Sequence, residues 1–263
     1  MINSKMNYID IGKGFPLLLG HSYLFDKHMW SEQIFELSKY YRIIAPDLWG
    51  HGLSPELPEF SEDLTDIAHD HLDLMNTLGI KEFGIIGISV GGMWGAQLAA
   101  LYPHRVKLLV LIGTYLGSEP EIQRQKYYAL LDEINKSGLI TNSILQYIIR
   151  QFYSNDAPNP LILKLMDDLK KIGKDRLCES IVPLGKMIFG RKDNLFLLTK
   201  IKAPSLIITG ELDKPRPPLE GNEMAAILKC EHIIVPKSGH ILPKEKPKLM
   251  TSILLDFLNK SGL

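Results

Sequence analysis

Residues 82 to 102, EFGIIGISVGGMWGAQLAALY, decide the predicted fold. The apolar run at 83–86 has no polar alternation, which is typical of a fully buried parallel strand. It leads into the pattern G-x-S-x-G at 87–91, and the Ala-, Leu- and Met-rich stretch that follows predicts a helix. A strand, a tight turn and a helix around this pattern would place Ser89 at the edge of a sheet, beside the free N–H groups that begin the helix. Ser89 is therefore a candidate nucleophile.

Composition limits the classes of protein to consider. The 263 residues carry 30 basic and 30 acidic side chains, so no basic field is expected to attract nucleic acid or a membrane. Two cysteines, Cys178 and Cys230, are too few for a disulfide framework or a zinc site. The N-terminal stretch lacks an apolar core of signal-peptide length, and the longest apolar runs are too short to span a bilayer. We expect a soluble, cytoplasmic monomer or homodimer whose partner is a small-molecule substrate.

Strand and helix patterns alternate along most of the chain, which predicts an α/β fold with a mostly parallel, doubly wound sheet. The alternation fails between residues 116 and 200, where only helical patterns occur. We therefore predict a core formed by residues 1–115 and 201–263, with a helical cap or lid inserted at 116–200. Open α/β sheets bind ligands beyond the carboxyl ends of their strands, where such an insertion would lie.

A serine nucleophile needs a base, and the base needs an orienting acid. Residues 236–242, PKSGHIL, directly follow the last predicted strand and bring His240 to the sheet edge predicted for Ser89. Residues 205–213, SLIITGELD, supply two carboxylates at the end of the preceding strand, Glu211 and Asp213. From the residues alone, either carboxylate could orient His240.

These motifs, in this order, resemble the α/β-hydrolase fold superfamily. The resemblance extends to residues 46–54, PDLWGHGLS, and to residues 17–30, LLLGHSYLFDKHMW, so it covers nearly the whole chain. Within it, Asp213 matches the position of the family's acid and Glu211 does not.

The same resemblance implies an oxyanion hole formed by two backbone N–H groups. One belongs to Tyr23, in the loop after an early strand, and the other to Val90, the residue after the nucleophile. The sequence departs from the family at this loop, because His21-Ser22 stands where the family has His-Gly. Glycine tolerates backbone angles that serine does not, so the departure bears on the geometry of the loop.

The implied reaction is acyl transfer to water without metal or cofactor, on a carboxylic ester or lactone of a small, largely apolar substrate. The chain resembles small bacterial esterases and enol-lactonases; carbon–carbon bond hydrolases of vinylogous diketones and cofactor-free haloperoxidase-like enzymes are alternatives. A ligand receptor using the same pocket is a further alternative outside enzymes. Arg191 and Arg216 are the nearest cations for an acidic substrate, although we interpret each as a solvated surface side chain. The candidate pocket residues are Leu24, Trp49, Met93, Trp94, Tyr115, Tyr127, Phe152 and Ile241.

Overall fold

A seven-stranded sheet forms the centre of the computed structural model, which describes residues 6 to 262; residues 1–5 and 263, at the ends of the predicted core, lie outside this range. The strands follow one another in the spatial order β1-β3-β2-β4-β5-β6-β7. The first strand pairs antiparallel with the third, and all other pairs are parallel. The strands are β1 (Tyr8–Ile11), β2 (Pro16–Gly20), β3 (Arg42–Pro46), β4 (Phe83–Ile88), β5 (Val106–Ile112), β6 (Ser205–Gly210) and β7 (Glu231–Val235).

Helices that belong to the α/β core alternate with these strands, so the predicted mostly parallel α/β sheet is confirmed. Among residues 6 to 262, no helix is long and apolar enough to cross a membrane. The core helices are α1 (Ser31–Leu37), α2 (Leu64–Thr77), α3 (Val90–Leu101), α9 (Pro218–Leu228), α10 (Leu242–Glu245) and α11 (Pro247–Lys260).

The connection between β5 and β6 contains only helices. It comprises α4 (Glu121–Ser137), α5 (Asn142–Phe152), α6 (Asn159–Lys170), α7 (Lys174–Arg176) and α8 (Val182–Phe189), with a π-helical turn at Leu177–Ile181 and a 3₁₀ helix at Leu195–Lys200. We call residues 116–200 the helical insertion. Its helices α5 and α6 have one apolar face each, as expected of helices that cover another layer.

Glycines allow the central helix to lie unusually close to the sheet. The register of β2 and β4 places Gly20 beside Gly87, under the first turn of α3. A Cβ on Gly91 would stand 2.3 Å from the carbonyl oxygen of Gly20, and one on Gly87 would stand 2.3 Å from that of Gly91. Side chains at these positions would push the helix away, so the glycines fix where α3 begins. That beginning is the position of Ser89.

Candidate active site

Ser89 lies on the sharp turn between β4 and α3, as the G-x-S-x-G pattern predicts. Its backbone angles, φ +54° and ψ −121°, are rarely adopted by residues other than glycine. Two hydrogen bonds fix this strained backbone. The Ser89 N–H donates to the Ile112 carbonyl at 2.9 Å, and the Thr114 hydroxyl donates to the Ser89 carbonyl at 2.7 Å. The surrounding structure thus holds the Ser89 backbone in one conformation, and Ser89 lines a cavity.

Asp213 and His240 form a buried pair at the carboxyl ends of β6 and β7. Asp213 Oδ2 lies 2.9 Å from His240 Nδ1, and both side chains are almost fully enclosed. The second carboxylate oxygen, Oδ1, accepts the backbone N–H of Arg216 at 2.9 Å. Gly113 makes room for the pair, because a Cβ there would stand 2.9 Å from Asp213 Oδ2 and 3.2 Å from His240 Nδ1. The ring is therefore oriented with Nε2 as the nitrogen available to a reacting group.

Glu211, the other candidate acid, has a different partner. Its Oε2 accepts the backbone N–H of Lys237 at 2.8 Å. The structure therefore pairs His240 with Asp213, while Glu211 connects the two loops that follow β6 and β7.

The loop that carries His240 is anchored to the helical insertion. The N–H groups of His240 and Ile241 both donate to the Phe152 carbonyl, at 2.9 and 3.2 Å. The Phe152 ring stacks on the His240 ring, with centroids 5.6 Å apart.

Buried Glu245 provides a second anchor for this loop. Its Oε1 accepts the N–H groups of Gly239 and Ser154, and its Oε2 accepts the Ser154 hydroxyl. Sequence reasoning missed Glu245. Its spacing of five residues from His240 was the one available signal, and that spacing carries no specific meaning without the fold.

The two predicted oxyanion donors are the backbone N–H groups of Tyr23 and Val90. Within residues 6 to 262, no acceptor is found for the N–H of Tyr23 or of Val90. Val90 is the first residue of α3, so its N–H has no carbonyl one turn earlier to bind. The serine that replaces the family's glycine is accommodated, since Ser22 is not among the residues with a positive φ. The left-handed conformation falls on Leu24 instead, with φ +68°.

An apolar cavity of about 90 Å³ connects these groups. Ser89, His240 and Tyr23 form part of its wall, and four of the predicted pocket residues also line it: Leu24, Met93, Tyr127 and Phe152. The insertion supplies most of the remaining wall, including Leu130, Leu131, Ile134, Ile144, Ile148 and Phe189. Tyr127 stacks on Phe189 with ring centroids 4.1 Å apart, and burial raises the Tyr127 pKa to about 12.

Four predicted pocket residues do not line this cavity, so these pocket predictions are wrong. Trp49 is held on α2 by a hydrogen bond from its Nε1 to Asp70, at 2.6 Å. Trp94 is fully buried in α3 and stacks on His71 with centroids 3.7 Å apart. Tyr115 directs its hydroxyl to Glu223, and Ile241 is fully buried in the hydrophobic core. Apolar or aromatic character alone did not distinguish these core and surface positions from the cavity wall.

The interpretation of Arg191 and Arg216 as solvated surface residues is also wrong. Both guanidinium groups are buried and both donate to Glu119 Oε1, which makes a buried ion triad. Glu119 and Arg216 line the cavity. Burial lowers the pKa of Arg191, and the neighbouring Arg216 acts in the same direction. Burial also raises the pKa of Glu220 to about 7, against the opposing effect of Arg216.

Among the described residues, no group of three or more His, Cys, Asp or Glu side chains is arranged to hold a metal ion. The polar residues that line the cavity are Tyr23, Ser89, Glu119, Tyr127, Tyr147, Gln151, Arg216 and His240.

A family model for the α/β hydrolase fold matches residues 16 to 138, from β2 through the elbow to the end of α4. The chain has the α/β-hydrolase fold. Among solved structures, it is similar to a thermophilic esterase from Thermogutta terrifontis. The TM-score is 0.87 at 25% identity, covering 97% of this chain and 93% of that one.

Two curated relatives are similar over most of their length. The 3-oxoadipate enol-lactonase 1 of Acinetobacter baylyi is 24% identical over 238 residues, which cover 89% of this chain and 84% of the relative. A pimeloyl-[acyl-carrier protein] methyl ester esterase of Legionella pneumophila is 29% identical over 217 residues, or 78% of this chain and 79% of the relative.

Proposed function

We propose that this protein is a serine hydrolase that cleaves a carboxylic ester or a lactone of a small, largely apolar substrate through an acyl-enzyme. The observation that carries this proposal is the convergence of Ser89 and His240 on one apolar cavity, with His240 bonded to Asp213 at 2.9 Å. The relatives named as an enol-lactonase and as a methyl ester esterase support the same reaction class.

In the acylation step, the Ser89 hydroxyl attacks the carbonyl carbon of the substrate and His240 Nε2 takes its proton. Asp213 accepts the His240 Nδ1–H, which selects the required tautomer and stabilises the imidazolium that forms. The charge on the carbonyl oxygen is stabilised by the N–H groups of Tyr23 and Val90, for which residues 6 to 262 offer no acceptor. His240 then gives its proton to the leaving alkoxide.

Deacylation repeats these roles with water. His240 removes a proton from the water that attacks the acyl-enzyme, and the proton then passes to Ser89 as the acyl group leaves as a carboxylic acid. No metal or organic cofactor takes part in this sequence, so a chelator should leave turnover unchanged.

The helical insertion acts as a cap that sets the choice of substrate. Helices α4, α5 and α8 supply most of the aliphatic side chains in the cavity wall. These contacts favour an apolar acyl or ring portion, because burying apolar surface is the main source of affinity in such a cavity.

A fluorophosphonate probe and a substrate panel test the proposal. The probe should label the native protein once, at Ser89, and labelling should disappear in Ser89→Ala but persist in Ser143→Ala, which removes an exposed serine of α5. The panel contains p-nitrophenyl esters of increasing acyl length, lactones and a vinylogous diketone. Turnover of esters or lactones that is lost in Ser89→Ala is the expected result.

Three other outcomes would contradict the proposal. Labelling of another serine would remove Ser89 from its role. Preferential turnover of the diketone would assign a carbon–carbon bond hydrolase. Saturable binding without any turnover would favour a ligand receptor.

A further inference from the structure

Two loops at the carboxyl edge of the sheet are joined by two histidines, each of which accepts a backbone N–H from the other loop. His21, in the loop after β2, accepts the backbone N–H of Leu48 through Nε2 at 2.8 Å. In return His51, in the loop after β3, accepts the backbone N–H of Leu24 through Nε2 at 3.1 Å. The two rings lie beside each other, with centroids 5.5 Å apart. Each loop is thus fixed by a side chain that belongs to the other.

The partners of the second nitrogen assign the tautomer of each ring. His21 Nδ1 lies 2.8 Å from the Ser22 carbonyl, and His51 Nδ1 lies 2.9 Å from the Trp49 carbonyl. A carbonyl oxygen can only accept a hydrogen bond, so in each ring Nδ1 carries the proton and Nε2 has the free lone pair. Burial lowers the pKa of His21 to about 4 and that of His51 to about 3, which keeps both rings neutral near neutral pH.

The Leu24 N–H that His51 accepts belongs to the turn that carries Tyr23. The Phe25 N–H donates to the Ser22 carbonyl at 3.1 Å, which closes a β-turn with Tyr23 and Leu24 at its centre. The positive φ of Leu24, +68°, marks a type II turn, in which glycine normally occupies this position. Leucine disfavours that conformation, so a specific contact must hold it.

His51 supplies that contact. A type I turn would relieve the positive φ by rotating the peptide between Tyr23 and Leu24, and the rotation exchanges the directions of its C=O and N–H groups. The Tyr23 carbonyl oxygen would then face the lone pair of His51 Nε2. Two acceptors would then oppose each other at the buried His51 ring, which favours the type II turn.

We propose that His51 is a positioning residue for the reaction: its neutral ring holds the turn in which Tyr23 presents its N–H to the oxyanion. This inference rests on the proposed function, because the oxyanion forms only if Ser89 attacks a carbonyl. His51 does not line the cavity that contains Ser89, so it acts through the Leu24 peptide and not on the substrate.

The test compares His51→Phe, which keeps a ring but has no acceptor, with His51→Gln, whose amide oxygen can take the place of Nε2. The measurements are kcat and KM for the best ester or lactone, and Ki for a trifluoromethyl ketone that forms a tetrahedral adduct with the serine. In His51→Phe we expect kcat to fall about 100-fold with KM little changed, and Ki to rise in parallel, because misplacing a group by about 1 Å has such an effect. His51→Gln should recover most of kcat.

A control variant distinguishes positioning from a general loss of packing. His71 is another buried histidine, stacked on Trp94 and absent from the cavity wall, so His71→Phe should leave kcat and Ki near their wild-type values. Equal losses in the two phenylalanine variants would overturn the positioning role, as would a His51→Phe enzyme that raises KM and leaves kcat unchanged. Failure of His51→Gln to recover more activity than His51→Phe would also overturn it.

Hydrogen exchange of the Leu24 amide gives a readout that does not depend on turnover. Exchange should be slow in the wild-type protein and in His51→Gln, and much faster in His51→Phe. Wild-type protein that hydrolyses no compound of the panel would refute the proposed function. In that case unchanged Leu24 exchange in His51→Phe would separately refute the role of His51 in holding the turn.

Discussion

Asp213 Oδ2 lies 2.9 Å from His240 Nδ1, and the other oxygen of the same carboxylate is occupied by the Arg216 N–H at 2.9 Å. Both carboxylate oxygens of Asp213 thus form a hydrogen bond, one with the His240 ring and one with the backbone of the loop that carries Asp213. The carboxylate cannot rotate without breaking both contacts, so the imidazole is held in a single orientation. This arrangement makes the acid a sensitive point for testing the reaction.

Asp213→Asn should lower kcat by about 10⁴-fold, because an amide of the same shape favours the wrong imidazole tautomer. Glu211→Gln is the matched control: Glu211 lies two residues away but bonds the Lys237 N–H and not the ring. The Glu211→Gln substitution should lower kcat by no more than about tenfold. Steady-state kinetics of both variants check this ranking, and circular dichroism checks that both are folded. A larger loss of kcat in Glu211→Gln than in Asp213→Asn would show that Asp213 is not the orienting acid.

Glu119→Gln should destabilise the fold by about 3 kcal/mol or more, since two buried guanidinium groups would lose their shared counter-charge. Glu121→Gln removes an exposed partner of Arg124 and should change the free energy of unfolding by less than about 1 kcal/mol. Urea unfolding at neutral pH measures both. Similar effects of the two substitutions would mean that the triad contributes no more than a surface pair.

Tyr127→Ala should shift the preference of the enzyme toward longer acyl chains, because it removes a ring that lines the cavity and stacks on Phe189. Fluorophosphonate labelling of Ser89 should persist, since the reacting groups are untouched. Ile122→Ala changes an exposed residue of the same helix and should leave the preference as it is. The ratio of kcat/KM values across the p-nitrophenyl ester series decides between these outcomes. An unchanged ratio in Tyr127→Ala would show that α4 does not select the substrate.

Buried His71 should make the protein less stable in mild acid. Burial lowers the pKa of His71 from 6.5 to about 4. Between these two pH values His71 is therefore protonated in the unfolded chain and neutral in the folded protein. The free energy of unfolding should therefore fall by about 1.4 kcal/mol per pH unit for this residue, between about pH 6 and about pH 5.

His71→Phe keeps the stacking on Trp94 and should flatten the pH dependence by that amount. Substitution of exposed His104 by Gln should leave the slope unchanged. Urea unfolding at several pH values gives the slopes. A wild-type slope in His71→Phe would mean that other groups account for the acid sensitivity.

The sequence predicted the parts of the molecule that depend on local patterns. The elbow around Ser89 and the loops carrying Asp213 and His240 each combine an apolar strand with a short, specific motif, and each lies where it was predicted. The helices of the insertion were likewise predicted, because only helical patterns occur between residues 116 and 200. The type II turn at Leu24 was not predicted, because leucine gives no signal of a positive φ.

Contacts between residues far apart in the chain could not be predicted from the sequence. Glu119 binds Arg191 and Arg216, which lie 72 and 97 residues away, and no local pattern links them. The prediction that Trp94 lines the pocket was wrong for a related reason. Helix α3 is buried on all sides except at its last residue, so its sequence has no polar face to show which side meets the cavity. Only the packing of the helix between the sheet and α2 places Trp94 on the side of His71.

The Tyr23 hydroxyl donates to the Ile181 carbonyl in the π-helical turn of the insertion, at 2.7 Å, and Gly185 leaves space for this hydroxyl. The same residue thus carries the backbone N–H that we propose for the oxyanion hole and a side chain that contacts the helical insertion. Chimeric enzymes that exchange caps between relatives would therefore have to preserve an acceptor for this hydroxyl and a small residue beside it. Without both, a transplanted cap would alter the rate of reaction as well as the range of compounds accepted, so substrate range and catalytic power cannot be recombined independently across this junction.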